Sequence, residues 1–251
     1  MIYFSLSLHV YAARFDDAIV VLDSVQDKYF SIVDSAAQYL DDILNDSFEQ
    51  DQQKRFVSAE KEYDSEQLNY WISYFIEKKL IFIMDDFRAN RKLISSAPLL
   101  PGGLKDYQWD TKSNWKPFKQ ASKIEIIKTF FYLAKIHRIL KSKGIQGILD
   151  EIKKIVSKQK KSNIPCEQEI NSLSAAIDAA SLLYPKKTYC LAWASTFVFI
   201  ALKKNWACNL VIGIQTNPFY AHAWAELAGQ VIHDDPVIAQ VLSIILKEPN
   251  K

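Results

Sequence analysis

One stretch of the sequence decides the fold of its C-terminal half: Leu210-Val-Ile-Gly-Ile-Gln-Thr-Asn-Pro-Phe-Tyr-Ala-His-Ala-Trp-Ala-Glu-Leu-Ala-Gly-Gln-Val-Ile-His-Asp234. Short apolar and β-branched blocks are separated by the turn-forming pairs Asn-Pro and Ala-Gly, which is typical of consecutive antiparallel strands. Because side chains alternate along a strand, we expect His222, Trp224 and Glu226 on one face. Three strands are predicted, over residues 210–215, 221–227 and 231–234.

Upstream of these strands, a helix is predicted from about Cys190 to Lys203. Thr188 is its expected N-cap, which places Cys190 in the first turn. Exposed N–H groups and the helix dipole favour a negative charge there, so the thiolate is stabilised relative to the thiol. A cysteine at a helix N-terminus, a histidine on one strand and a carboxylate on the next follow the order of a papain-like thiol site.

Each of these groups has an expected role in thiol chemistry. Cys190 is the candidate nucleophile, and His222 would lower the thiol pKa and later protonate the leaving amine. The backbone N–H of Cys190 is the first expected oxyanion donor, and the sequence identifies no second one. Strand counting leaves two orienting carboxylates open: a two-residue loop at 228–229 places Asp235 opposite His222, whereas a three-residue loop places Asp234 there.

Helical periodicity predicts further helices from Ser122, from Cys166 to Tyr184 and from Val237 to Leu246. Residues 119–161 carry twelve Lys or Arg and three acidic residues. That excess indicates either a solvated outer face or a docking face for an acidic partner. Trp224 is expected either in the core or as a wall of the substrate groove beside His222.

The other cysteines and histidines carry weaker signals. Cys166 and Cys208 are predicted to be small buried hydrophobes. His233 is expected to point away from His222 and to lie at the surface. Cysteine and histidine spacings show no CxxC or HxxxH pattern, so no metal site is expected. Three widely spaced cysteines suit a reducing compartment, and we predict a cytoplasmic protein.

Composition excludes several classes of protein. The 251 residues are 49% hydrophobic and 24% charged, as in an ordinary globular protein long enough for two small domains. A net charge of +2 gives no global field toward nucleic acid or membrane. No apolar run is long enough for a membrane span.

The N-terminal residues 1–85 are predicted to form a winged-helix-like unit of three strands, helices and a closing strand. Its many acidic residues argue against binding to nucleic acid phosphates. Residues 86–120, which contain Pro98, Pro101 and two glycines, are predicted to be a linker, and residues 121–251 a second domain. The N-terminal elements are predicted as strands from Tyr3 to Val10, Ala18 to Leu22, Tyr29 to Val33 and Leu80 to Met84, and helices from Asp34 or Ser35 and from Ser65.

The segment quoted above resembles the lasso peptide maturation proteases of the microcin type. That resemblance implies an α+β fold with a papain- or transglutaminase-like cysteine protease domain. It also implies a triad of Cys190 as nucleophile, His222 as base and Asp234 as orienting carboxylate, in preference to Asp235.

The same resemblance implies that residues 1–85 are a PqqD-like leader-recognition domain. In such domains the leader of the precursor peptide adds as a strand beside the third strand, here Tyr29 to Val33 with Tyr29 and Phe30, and packs on the third helix. Tyr70 and Tyr74 on the helix from Ser65 to Lys79 are the expected leader contacts, and ordinary packing is their alternative role.

The leading hypothesis is therefore a leader peptidase that cuts a precursor at the leader–core bond. Its expected partners are the precursor peptide and a cyclase resembling asparagine synthetase, which receives the core. No cofactor is expected, and any ATP dependence would act through the cyclase because the sequence has no P-loop. Two alternatives remain: a transglutaminase or arylamine acyltransferase with the same triad, and a non-catalytic protein that binds DNA or serves as a peptide scaffold.

Overall fold

The computed structural model describes residues 1–16, 18–85, 91, 93–95, 121–159 and 163–249. The chain divides into two compact units, Met1–Ser96 and Ala97–Lys251. Both contain helices and strands, and the predicted α+β class is confirmed. Most of the predicted linker, including Pro98 and Pro101, lies outside the described residues, while its described part includes a short strand at Ile94–Ser95.

The first unit is built from short strands and two helices. Its described elements are β1 (Tyr3–Leu6), β2 (Val10–Arg14), β3 (Ala18–Asp23), β4 (Lys28–Val33), α1 (Asp34–Asn45), β5 (Phe48–Gln50), β6 (Phe56–Ser58), α2 (Ser65–Glu77), β7 (Ile81–Met84) and β8 (Ile94–Ser95). The main sheet has the order β4-β3-β2-β8, so β4 is an edge strand. Strand β1 pairs with β7 and β5 with β6.

The predicted strand from Tyr3 to Val10 is wrong, because the chain turns within it. The backbone N–H of Val10 donates to the carbonyl of Ser7 at 2.9 Å, which separates β1 from β2. The apolar faces of the strands and of α1 and α2 meet in one core that includes Phe4, Leu40 and Phe75, all fully buried. Burial of this apolar surface is the main force that holds the unit together.

The second unit packs helices against an antiparallel sheet. Its described elements are α3 (Lys123–Val156), α4 (Glu167–Leu183), α5 (Cys190–Lys203), β9 (Cys208–Gln215), β10 (Tyr220–Leu227), β11 (Gln230–Ile232), α6 (Ile238–Val241) and β12 (Ser243–Glu248). Ser122 and Glu125 form a capping box at the start of α3, and Gly144 kinks that helix with a φ of 56°.

Helix α5 lies at the centre of this unit. Every residue from 192 to 202 is buried, because the helix is apolar on all sides and contacts α3, α4, β9 and β10. Its predicted bounds are confirmed. The sheet has the order β11-β10-β9-β12.

The predicted apolar helix from Val237 to Leu246 is wrong. Only Ile238–Val241 is helical, and Ser243–Glu248 forms strand β12, which pairs with β9. A short apolar run has no periodicity that separates a buried strand from a helix, so the unpaired edge of β9 decides the outcome.

The β10–β11 hairpin turns through two residues, Ala228 and Gly229, whose φ angles are 50° and 84°. Leu227 faces Gln230 directly, so the three-residue loop does not form. Strand β11 ends at Ile232, and His233 takes a left-handed φ of 58°. The chain therefore leaves the strand register before it reaches the two candidate carboxylates.

Candidate active site

Cys190 is the first residue of α5 and is partly buried. The N-cap is Tyr189, without a side-chain cap, so the predicted cap at Thr188 is wrong. The helical position of the thiol is nevertheless the expected one, in the first turn where backbone N–H groups lack helical acceptors. The backbone N–H groups of Leu191 and Ala223 face the sulfur.

His222 is buried on β10 and is held by Asp234. Its Nε2 lies 2.6 Å from Oδ2 of Asp234, and the two side chains are 0% and 5% exposed. Asp235 lies elsewhere, since its Oδ1 accepts from the backbone N–H of Val237 at 2.9 Å. The turn at His233 thus brings to the imidazole the carboxylate that the family resemblance implies, although the hairpin register alone favours its neighbour.

The three groups are coupled electrostatically. Burial opposes ionisation of Cys190, but the hydrogen bond and charge of His222 outweigh it and lower the pKa of the thiol below its ordinary value. Burial likewise disfavours the imidazolium, yet the hydrogen bonds to Asp234 and Cys190 raise the pKa of His222 to about 9. The arrangement therefore favours a thiolate–imidazolium pair, which is the reactive form of a thiol nucleophile.

Tyr220 is a fourth polar group at this centre, and the sequence reasoning missed it. Its hydroxyl lies 3.4 Å from Nδ1 of His222, and the two rings are nearly parallel. Burial, followed by the charges of Cys190 and Asp234, raises the pKa of Tyr220 to about 12. Side-chain alternation could have identified Tyr220, because it precedes His222 by two positions and so shares its face of the strand.

Trp224 also lies on the His222 face, with the two rings nearly parallel, but it is only 1% exposed. It packs with Val211 and Leu242, and a Cβ added at Gly213 would approach its ring to 2.7 Å. These contacts favour the core role of Trp224, and a contact with substrate stays a prediction.

The expected leader contacts lie on the first unit. Tyr29 and Phe30 belong to the edge strand β4, and Phe30 is 39% exposed. Tyr70 and Tyr74 on α2 are 60% and 37% exposed, with their rings 6.3 Å apart and nearly parallel. The structure thus presents an exposed edge strand and an exposed aromatic pair, and their use by a leader stays a prediction.

His233 is not a surface residue, so that expectation is wrong. Its Nε2 lies 3.0 Å from Oδ2 of Asp178 on α4, and only 12% of its side chain is exposed. Cys166 is exposed rather than buried, which is also contrary to expectation, whereas Cys208 is buried as expected. Burial raises the pKa of Cys208 above its ordinary value, which leaves it unreactive beside Cys190.

Two further properties concern the ranges of the chain that the structure describes. Within them, no cluster of three or more His, Cys, Asp or Glu side chains is arranged to hold a metal ion. None of their helices combines the length and the apolar character that crossing a membrane requires.

The chain is similar to known proteins. Residues 133–246 match the family model of the transglutaminase-like superfamily. The chain is 29% identical over 136 residues to the microcin J25-processing protein McjB of Escherichia coli. That alignment covers 52% of this chain and 62% of McjB. No solved structure matches the chain. The second unit thus contains a transglutaminase-like domain, and the resemblance to microcin-type maturation proteins is confirmed.

Proposed function

We propose that this chain is a cysteine peptidase that removes the leader from the precursor of a lasso peptide. The observation that carries the proposal is that His222 contacts both the Cys190 thiol and Asp234 inside a transglutaminase-like domain. The similarity to a protein named for processing microcin J25 supports a ribosomal precursor peptide as the substrate.

The chemistry proceeds through a thioester. The Cys190 thiolate attacks the carbonyl carbon of the leader–core bond, and the charge that develops on its oxygen is stabilised by backbone N–H groups at the start of α5. The carbon–nitrogen bond then breaks as the His222 imidazolium protonates the leaving amine of the core. His222 next removes a proton from water, which attacks the thioester, and the carbon–sulfur bond breaks to release the leader carboxylate. Asp234 holds the imidazole ring in place throughout.

Recognition of the leader is assigned to the first unit. Among the described strands, β4 lies at the edge of its sheet, where an extended peptide can add by backbone hydrogen bonds. Tyr70 and Tyr74 offer exposed aromatic surface for side chains of the leader. Binding at a site apart from the scissile bond raises the local concentration of that bond, so the catalytic groove itself needs little selectivity.

The freed core amine is the natural substrate of a ring-forming step. We propose that it passes to a cyclase resembling asparagine synthetase, which closes the ring on an acidic side chain and accounts for any ATP requirement. The peptidase itself needs no cofactor for the steps above. We place the reaction in the cytoplasm, where the three free cysteines stay reduced.

The proposal is tested by mass spectrometry of the purified chain incubated with the precursor peptide encoded beside its own gene, with and without the cyclase and ATP. We expect a single cut at the leader–core bond that is lost in Cys190→Ala and His222→Ala, and that persists in the matched control Cys166→Ala. Undiminished cleavage by Cys190→Ala would contradict the mechanism. Leader binding without cleavage, under all conditions, would instead support a peptide scaffold.

Acyl transfer is a second candidate, favoured by the match to a transglutaminase-like family. The same thioester would then be attacked by an amine rather than by water. Adding a primary amine to the assay separates the two functions. A leader with a new amide at its C-terminus indicates transfer, and a leader that ends in a free carboxylate indicates hydrolysis.

A further inference from the structure

A second aspartate, Asp178, lies behind the candidate triad and joins two elements that carry it. Its side chain projects from α4 and is 5% exposed. Oδ1 accepts a hydrogen bond from Nε1 of Trp193 at 2.8 Å, and Oδ2 lies 3.0 Å from Nε2 of His233. The Trp193 and His233 rings are parallel within 10°, with centroids 4.7 Å apart. We call these three residues the Asp178 clasp.

Each partner of Asp178 lies close in the sequence to a member of the triad. Trp193 follows Cys190 by one turn of α5, and His233 immediately precedes Asp234. One carboxylate therefore fixes the helix that carries the nucleophile and the turn that carries the orienting carboxylate. A buried carboxylate is costly unless it is paired, so Asp178 depends on the Trp193 N–H and on the nearby imidazole of His233.

The backbone at His233 gives independent support. Its φ of 58° is in the left-handed region, which few residues other than glycine adopt, although histidine does so more often than most. This turn is what brings Asp234, rather than Asp235, to His222. The His233 ring packs against Trp193 and lies beside the Asp178 carboxylate, and both contacts favour this conformation of the turn.

We propose that the Asp178 clasp is the positioning device of the triad, which holds the turn at His233 so that Asp234 meets Nε2 of His222. This inference rests on the proposed function of Cys190, His222 and Asp234. A clasp that served only the core would contribute to stability and leave the reactivity of the thiol unchanged.

Conservative variants separate the two roles. His233→Phe keeps the ring stack and removes the nitrogen that faces Asp178. Trp193→Phe keeps an aromatic ring and removes the N–H donor. Asp178→Asn keeps an acceptor for Trp193 and removes the charge. It still tests the effect of the clasp on the thiol if the Trp193 or His233 variants do not fold. Trp206→Phe is the matched control, because Trp206 is buried in the same core beside Phe197.

The measurement is the rate of Cys190 alkylation by iodoacetamide as a function of pH, in a Cys166→Ser background, with unfolding followed in parallel. The groups that set this titration are the thiol on α5, His222 and Tyr220 on β10, and Asp234 in the turn. We expect the clasp variants to raise the midpoint by roughly 0.5–1 pH unit, in the same direction as Asp234→Ala. Trp206→Phe should lower stability and leave the midpoint unchanged.

A double-mutant cycle makes the test specific. If the clasp acts through Asp234, His233→Phe causes no further shift in an Asp234→Ala background. An equal shift in both backgrounds, or lowered stability without any shift, overturns the inference. Failure of the proposed function gives another result, since His222→Ala itself would then leave the midpoint unchanged.

Discussion

Two histidines of the second unit each lie against a buried aspartate, but only one of them faces a thiol. His222 is 2.6 Å from Asp234 and also contacts Cys190. His233 is 3.0 Å from Asp178, and its ring stacks on an indole instead. The difference teaches that a histidine–aspartate pair is in itself a structural unit. The pair becomes a candidate for catalysis only when the imidazole also contacts a reactive group, here the Cys190 thiol.

The supports of the two rings also differ. His222 lies on a paired strand, between the nearly parallel rings of Tyr220 and Trp224. His233 lies in a turn with a left-handed backbone, so its position depends on its side-chain contacts. We therefore expect large chemical effects from changes around His222, and smaller effects, transmitted through Asp234, from changes around His233.

The strongest contrast should come from removing each imidazole. We expect His222→Ala to lower kcat/KM for leader cleavage by a factor on the order of 10²–10⁴, because both the base and the proton donor are lost. His233→Ala should lower it by a far smaller factor, since the reacting groups remain. Steady-state cleavage kinetics of both variants check this, and equal losses would remove the distinction between the pairs.

Of the two histidines, only His222 should set a limb of the pH dependence of cleavage. Cleavage needs the thiolate and the imidazolium together, so kcat/KM should rise as Cys190 ionises and fall as pH passes about 9, where His222 loses its proton. Asp234→Asn withdraws the carboxylate that raises the pKa of His222, so the alkaline limb should move to lower pH. An alkaline limb that stays in place in Asp234→Asn argues against this assignment.

A substitution at Gly213 tests how the packing around Trp224 holds the face of β10 that carries His222. Gly213 lies opposite His222 in the register, and a Cβ there would meet the buried ring of Trp224 at 2.7 Å. Gly213→Ala should cost about 1–3 kcal/mol of unfolding free energy through overpacking, and should also lower cleavage. Chemical denaturation and cleavage rates measure both effects.

The control for that variant is Gly229→Ala in the hairpin loop. Nothing lies within 4 Å of a Cβ at this position, but its φ is +84°. It should therefore cost roughly 1–2 kcal/mol from backbone strain alone. Cleavage by the folded protein should be retained, and an equal loss of cleavage in both variants would show that stability alone explains the effect.

The smallest effect is expected at Tyr220. Tyr220→Phe keeps the ring beside His222 and removes the hydroxyl that lies 3.4 Å from Nδ1. Loss of one such hydrogen bond should lower kcat/KM by roughly two- to tenfold. Tyr189→Phe is the matched control, because that tyrosine precedes Cys190 but is exposed, and its ring lies against Lys187. A loss in the control as large as in Tyr220→Phe would deny the hydroxyl a specific role.

Much of the site was predictable from local patterns. The bounds of α5 follow from an apolar run after Pro185, and the face of β10 follows from simple alternation. Asp234 was not predictable from strand counting, because the counting assumes that β11 continues, whereas the chain turns at His233. Strand counting left Asp234 and Asp235 in competition, and the family resemblance decided between them.

The remaining differences have a common physical cause, which is contact between distant parts of the chain. His233 was expected at the surface because alternation along the strand gives no sign of its partner. That partner, Asp178, lies far away in the sequence, on α4. Residues 243–246 of β12 were expected to be helical because their pairing with β9 is not visible in a short apolar run. Local propensity is a weak prior wherever such tertiary pairing decides the outcome.

The central claim is that Cys190 attacks the carbonyl at the end of a bound leader. It is tested most directly by a leader peptide that ends in a chloromethyl ketone, incubated with the protein and followed by intact-mass and peptide-mapping mass spectrometry. We expect one equivalent of leader joined to Cys190 through a new carbon–sulfur bond as chloride leaves, with far slower labelling by a scrambled leader and no labelling of Cys190→Ser. Labelling of Cys166 instead, or equal rates with the scrambled leader, would contradict the account.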